Sequence, residues 1–247
     1  VVADIDFAML TDARAPGAMK AVARMNEVPL QFAPKTAFVL DHYSPPPHKE
    51  AAQIHGRLRE FSHQTGAQLY DIGEGICHQL LPEKGHVTCG DLIVGTDSHS
   101  VTQGAFNALG MGVEGTDLTA VMAYGKLWFQ VPPTILVELQ GQLQPGVWAK
   151  DVTLHMLGKL GADGANYQAI EYVGSAVAAM SIDDRMTLCN HAAELGAKAA
   201  LLEADEKTFA WLKAHGAREP KPVQADSDAH YSQRHQIDVS ALAPQVD

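Results

Sequence analysis

The sequence predicts an α/β protein built as two α/β/α-layered units, and three observations predict it. Short apolar runs end abruptly in polar residues, at 36–40 before Asp41-His42, at 68–70 before Asp71, and at 91–94 before Gly95-Thr96-Asp97. Each reads as a strand buried on both faces, as parallel sheets require. Between the first two, Ala51, Ile54, Leu58 and Phe61 recur at three- and four-residue spacing and make one apolar helical stripe. Strand and helix patterns then keep alternating along the chain, which is the signature of layered α/β architecture.

The elements follow in order. Pro45, Pro46 and Pro47 confine the first helix to 48–62, because proline cannot continue a helix through its own missing N–H. The stretch 103–115 is rich in Gly and Ala and predicts close approach of backbones. Thr116 resembles an N-cap, with Leu118, Val121, Met122 and Gly125 on one face after it. Val131-Pro132-Pro133 marks a boundary. Ile135, Val137 and Leu139 then alternate with Glu138 and Gln140, as in a strand with one exposed face. Beyond it the patterns predict a helix over 150–160, a strand over 169–173, a helix over 183–197 capped by Ser181 with Asp184, a strand over 200–203 and a helix over 205–215. Residues 218–236 carry Pro, Ser, Asp and His with little periodicity and predict a connecting arm. The division placed near residue 126 gives a first unit over 1–125, a second over 126–216 and an arm over 217–247.

Composition narrows the function. The net charge of -11, from 18 basic and 29 acidic residues, repels phosphate backbones and argues against a nucleic-acid partner. No apolar run approaches the roughly 20 residues of a membrane span, and no signal sequence opens the chain. Cys77, Cys89 and Cys189 are odd in number and widely spaced, which fits neither a disulfide framework nor a zinc site. A reducing, cytoplasmic setting follows as the expectation. Cys77 and Cys189 read as buried thiols. A first residue other than Met and the final Ala-Pro-Gln-Val-Asp suggest ends cut from something longer.

Four candidate sites place a His or carboxylate just past a predicted strand, where open α/β sheets bind ligands. They are Asp41-His42, His78 in Gly75-Ile-Cys-His-Gln79, Asp97-Ser98-His99, and Glu171 in Ala169-Ile-Glu-Tyr172. Three imidazoles and three carboxylates can pair one to one, and a carboxylate beside an imidazole keeps it protonated near neutrality. Such a pair is a general acid, able to protonate a departing hydroxyl. The same cations suit a substrate carrying several carboxylates. The other nine histidines, His55 among them, show no partner spacing and read mostly as surface groups.

Five stretches go beyond spacing: Asp71-Ile-Gly-Glu-Gly-Ile-Cys-His-Gln79, Leu92-Ile-Val-Gly-Thr-Asp-Ser-His-Ser100, Gly110-Met-Gly-Val-Glu-Gly-Thr-Asp117, Lys126-Leu-Trp-Phe-Gln-Val-Pro132 and Thr187-Leu-Cys-Asn-His-Ala-Ala-Glu-Leu-Gly-Ala-Lys198. In this order they resemble the first half of the aconitase family, most closely its 3-isopropylmalate dehydratase and homoaconitase large-subunit branch, over about 3–205 and more weakly afterwards. The resemblance implies the family's iron-sulfur-domain fold, and dehydration and rehydration of a hydroxy di- or tricarboxylate. It implies Asp41 and His42 as the pair that protonates the leaving hydroxyl, His78 with Asp97 as a second pair, and His99 with Glu171 as a third. Ser98 matches a substrate-carboxylate contact. Arg14 stands where relatives tend to carry Thr, and implies an altered substrate contact.

The family also implies a 4Fe-4S cluster, one iron of which acts as a Lewis acid. Its ligand cysteines lie in Ser-Cys-Thr-Asn and Cys-x-x-Cys segments that do not occur in this chain. A cluster needs several thiolates in a defined arrangement. The expectation is therefore a large-subunit fragment, inactive alone and with no metal site of its own, working with a small swivelling subunit or domain. Two other readings stand beside it. One is a mononuclear metal hydrolase using Asp41, His42, His78, Asp97 and His99 as ligands; the other is a binding module without catalysis.

Overall fold

In the computed structural model, which describes residues 1–25 and 28–246, the chain opens with a short strand β1 (Val2–Asp4) and then builds a parallel sheet. Its strands are β2 (Phe7–Thr11), β3 (Thr36–Val39), β4 (Gln68–Tyr70), β5 (Leu92–Gly95) and β6 (Leu109–Gly112), in the spatial order β4-β3-β2-β5-β6. A strand β7 (Lys126–Trp128) returns to pair antiparallel with β1. A second parallel sheet follows, from β8 (Thr134–Gln140), β9 (Ala169–Val173), β10 (Ala199–Leu202) and β11 (Gln233–Asp238), in the order β10-β9-β8-β11.

The helices are α1 (Ala15–Arg24), α2 (Lys49–Thr65), α3 (Cys77–Glu83), α4 (Gly115–Tyr124), α5 (Ala149–Leu160), α6 (Ser175–Ala179), α7 (Ile182–Asn190) and α8 (Glu206–Ala214). The stripe predicted for α2 packs as read: Ala51 and Leu58 are buried, and Ile54 and Phe61 lean on the same core. Ser181 and Asp184 form a reciprocal capping box at α7. Thr116 does not cap α4, which begins one residue earlier after Glu114, so the threonine lies within its first turn. The helix predicted over 183–197 tightens into a 3₁₀ turn from His191 to Leu195. None of these helices is long and apolar enough to cross a membrane, among the described residues.

Alternation across the strands divides the core. Ala8 and Leu10 of β2 face a cluster with Phe38, Leu58 and Leu118, while Phe7 and Met9 face a larger one. That larger cluster also contains Ile135, Val137 and Leu139 of β8, so one apolar layer joins the two sheets. A 3₁₀ segment, Ser98–Phe106, lies at this junction. A side-chain carbon at Gly104 would sit 1.9 Å from the carbonyl oxygen of Ala200. The predicted close approach is therefore real, and it brings β10 against the segment that carries Ser98 and His99.

Among the described residues, five strands went unread in the sequence: β1, β2, β6, β7 and β11. β2, the central strand of its sheet, is buried along its whole length, as β3 is. β11 lies inside the segment expected to be an arm; only Ile237 of it is buried, so backbone pairing with β8 rather than an apolar face defines it.

Candidate active site

β2 sits between β3 and β5, and the chain leaves it first toward β3 and β4, then returns on the other side for β5 and β6. This reversal opens a crevice beyond the carboxyl ends of the strands. Thr11-Asp12, Asp41-His42 and Asp97 end three adjacent strands there. Thr11 is tied to the neighbouring tip by a 3.0 Å bond from its N–H to Thr96 Oγ1. Ser98 and His99 begin the 3₁₀ segment, and His78 reaches in from α3.

The side chains form one network. His42 Nδ1 is 2.8 Å from Asp41 Oδ1, and its Nε2 is 3.0 Å from Asp97 Oδ2. The other oxygen of Asp97 takes His78 Nε2 at 2.9 Å and the backbone N–H of His99 at 2.8 Å. His99 Nδ1 stands 3.4 Å from that oxygen. Asp41 keeps its second oxygen for the N–H of Cys77, at 2.8 Å, which locks the start of α3 to the tip of β3.

Electrostatics follow from these contacts. The hydrogen bond to Asp41, then that to Asp97, raises the His42 pKa to about 10, against the opposing effect of burial. Burial raises the Asp97 carboxyl, but bonds from His42, His78 and His99 outweigh it and hold the group well below the usual carboxylate range. Asp41 is likewise lowered, its bonds from His42 and Cys77 overcoming burial. His99 is raised by Asp97 and by Glu194. At neutral pH the centre is an imidazolium between two carboxylates.

A cavity of about 750 Å³ opens above it. Thr11, Arg14, His42, Asp97 and Ser98 line it from the tips of the first sheet, with Trp128 and Phe129 following from β7. Lys198, just before β10, closes the far wall and donates to the carbonyl of Gly112 at 2.5 Å. Burial pushes its ammonium pKa down, against the pull of Asp117 and Glu114.

The structure brings Asp41, His42, His78, Asp97 and His99 together and places Arg14 and Ser98 on the cavity wall. It does not bring in Glu171. That carboxylate, midway along β9, accepts the hydroxyl of Tyr231 at 2.9 Å. His99 pairs instead with Glu194, its Nε2 2.9 Å from Oε1. The correction is geometric: Glu171 lies within a strand between β8 and β10, whereas Glu194 lies in the 3₁₀ turn after α7. Glu194 belongs to the Thr187 to Lys198 stretch, so a signal for it existed. Asp12 and His55 also went unread. Both side chains are buried, with His55 Nε2 2.8 Å from Asp12 Oδ2.

Oxygens of Asp12 and Asp41 and a ring nitrogen of His42 lie within 4.8 Å of one another, a spacing that could hold a metal ion. Both His42 nitrogens, however, are already engaged by carboxylates, Nδ1 by Asp41 at 2.8 Å and Nε2 by Asp97 at 3.0 Å. The hydrolase ligand set is thus not favoured. The thiols do not fit an iron-sulfur cluster either. Cys77, Cys89 and Cys189 are each buried within the apolar core, and none lines the cavity. Burial pushes Cys89 up to about 11 and raises the other two further, so none is a ready thiolate.

A profile of the aconitase family (aconitate hydratase) matches residues 6–247. This chain belongs to the aconitase family. The match extends to the last residue, beyond the 3–205 over which the resemblance was clearest. The chain is 48% identical over 247 residues to 3-isopropylmalate dehydratase large subunit 1 of Methanopyrus kandleri, covering 100% of this chain and 59% of that protein. It is 41% identical to a probable methanogen homoaconitase large subunit of Methanosarcina mazei, covering 100% of this chain and 63% of the relative. It therefore spans about three fifths of the length of these family members. Among solved structures, Thermococcus kodakaraensis aconitase X in its holo-form matches with a TM-score of 0.56 at 11% identity, over 96% of this chain and 57% of that one. That likeness establishes the shared fold.

Proposed function

We propose that this chain carries the general acid and one wall of the active-site cleft of a hydro-lyase, and that the whole protein isomerises 3-isopropylmalate by removing and re-adding water. The observation that carries the reading is His42, doubly bonded to Asp41 and Asp97 at the cavity wall. Two carboxylates keep this imidazole protonated at neutral pH. The proton nonetheless moves downhill when a C–O bond breaks, because departing hydroxide is the conjugate base of water, with a pKa of about 15.7. The C–O electron pair leaves with oxygen, His42 supplies the proton, and water is released. In the reverse direction neutral His42 takes a proton from the returning water. Asp97 is the fixed counter-charge in both, and His78 and His99 hold it in place.

Substrate carboxylates sit against Arg14, Ser98 and Lys198, which supply charge-assisted and neutral hydrogen bonds. This seats an acidic ligand in a chain of net charge -11. The base that removes the carbon-bound proton, and a 4Fe-4S cluster with its Lewis-acid chemistry, come from outside this chain in the assembled enzyme. The relatives' description as large subunits supports a small-subunit partner for the remaining wall. We further divide the chain near residue 126, the first unit holding the acid and the second, over 126–216, supplying Lys198 and Glu194.

The experiment is His42→Asn in the assembled enzyme. Formation of the unsaturated acid from 3-isopropylmalate should fall by roughly 10²–10⁴, with cluster absorbance unchanged. Undiminished turnover would remove His42 from the acid role.

A further inference from the structure

Beneath the network lies a second pair that the reaction itself does not use. Asp12 is fully buried and yet bonded on both oxygens. Its Oδ1 accepts the N–H of Ala13 at 2.9 Å and that of His42 at 3.2 Å. Its Oδ2 accepts the N–H of Tyr43 at 3.0 Å and faces His55 Nε2 at 2.8 Å. Since Oδ2 acts as an acceptor, Nε2 must carry the proton it donates. The opposite ring nitrogen, Nδ1, is buried and has no partner among the described residues. A buried unsatisfied atom costs stability, so a residue contributing only to packing would be better served by an apolar side chain.

The turn that presents the acid is thus hung from a carboxylate. His42 and Tyr43 form a turn after β3, and both their amides end on Asp12. His55, on α2, fixes the carboxylate from behind the cavity wall. We infer that the Asp12–His55 pair is a positioning device for His42, holding its backbone so that the ring meets Asp41 and Asp97 together. The inference rests on the assignment of His42 as the acid, and neither residue touches substrate.

The test uses this chain and low-temperature NMR of the imidazole N–H protons of His42. In the unmodified chain both should be seen, each bonded to a carboxylate. His55→Phe should lose them or speed their solvent exchange roughly tenfold, equivalent to about 1.4 kcal/mol. His55→Gln, which retains an Nε2–H donor, should restore slow exchange. If His55→Phe lowers the melting temperature while both protons exchange as before, the pair is only an anchor for α2 and the inference fails. Should that variant not fold, amide exchange in the unmodified chain decides: the His42 and Tyr43 amides should be protected, and free exchange overturns the inference. Absence of both ring protons from the unmodified chain would instead count against the His42 assignment, and the inference would fall with it.

Discussion

His42 Nε2 lies 3.0 Å from Asp97 Oδ2, a contact that ties the tip of β3 to the tip of β5 across the central strand. Asp97 is also the partner of His78, so one carboxylate orients two rings. Asp97→Asn keeps the shape but replaces one acceptor oxygen with an NH₂ group. Either that NH₂ meets His42 Nε2–H, donor against donor, or it meets His78. The His42 titration midpoint, about 10 in the parent chain, should fall by roughly 1–3 units, the usual effect of an adjacent opposite charge. NMR titration of the ring protons measures it, and an unmoved midpoint would show that Asp41 alone holds the proton.

The same shift sets a stability profile. His42 has an ordinary value of 6.5 and a folded value near 10. A group whose pKa rises on folding stabilises the fold fully below its unfolded value, and that contribution is lost as pH climbs through the folded value. The urea midpoint should therefore decline between pH 7 and 10, and more gently in His42→Asn. Asp41 and Asp97 act in the opposite sense. Their lowered values give stability that is present above the ordinary 3.8 and lost on acidification below it.

Glu194 and Glu171 separate what the sequence conveyed from what it did not. Both come after residue 126, and both are glutamates near small apolar residues. Glu171 was counted among the strand-end sites and paired with His99 by resemblance, but it lies within β9, and a strand flanked on both sides directs its side chains to the sheet faces, where Glu171 meets Tyr231. Glu194 was obscured because a tight 3₁₀ turn replaces the end of the predicted helix and changes which residues share a face. Glu194→Gln should lower the His99 midpoint, which Asp97 and Glu194 together raise. Glu171→Gln should leave it in place. Titration of His99 in the two variants decides between them.

Legibility elsewhere follows the same physics. Asp41, His42 and Asp97 were readable because each follows an apolar run that ends at a sheet edge. Asp12 ends a run of the same kind, Phe7–Thr11 being buried throughout as Thr36–Val39 is, so the signal that marked Asp41 was present there too and went unread. His55 lies on the buried stripe of α2 at the position between Ile54 and Leu58, where a histidine breaks the apolar pattern and reads as exposed. The alternation at β8 was read correctly, with Ile135, Val137 and Leu139 buried because only one of its faces meets the core, although the strand ends at Gln140 and not at Leu143 as the pattern predicted.

Lys198 provides the most direct test of the proposed carboxylate seat. Its ammonium lines the cavity, half-buried, with one hydrogen bond to the Gly112 carbonyl. Burial lowers its pKa, and a bound carboxylate would raise it again by replacing the lost water. A charge-assisted hydrogen bond contributes about 1.5–3 kcal/mol, so Lys198→Met in the assembled enzyme should raise KM for 3-isopropylmalate by roughly 10- to 100-fold. The change in kcat should be much smaller, because the carboxylate is bound before and during water loss alike. Lys198→Arg, which keeps the charge, should recover part of the affinity. If instead the lysine serves only to join the two sheets through Gly112, Lys198→Met will lower the melting temperature and leave KM where it was.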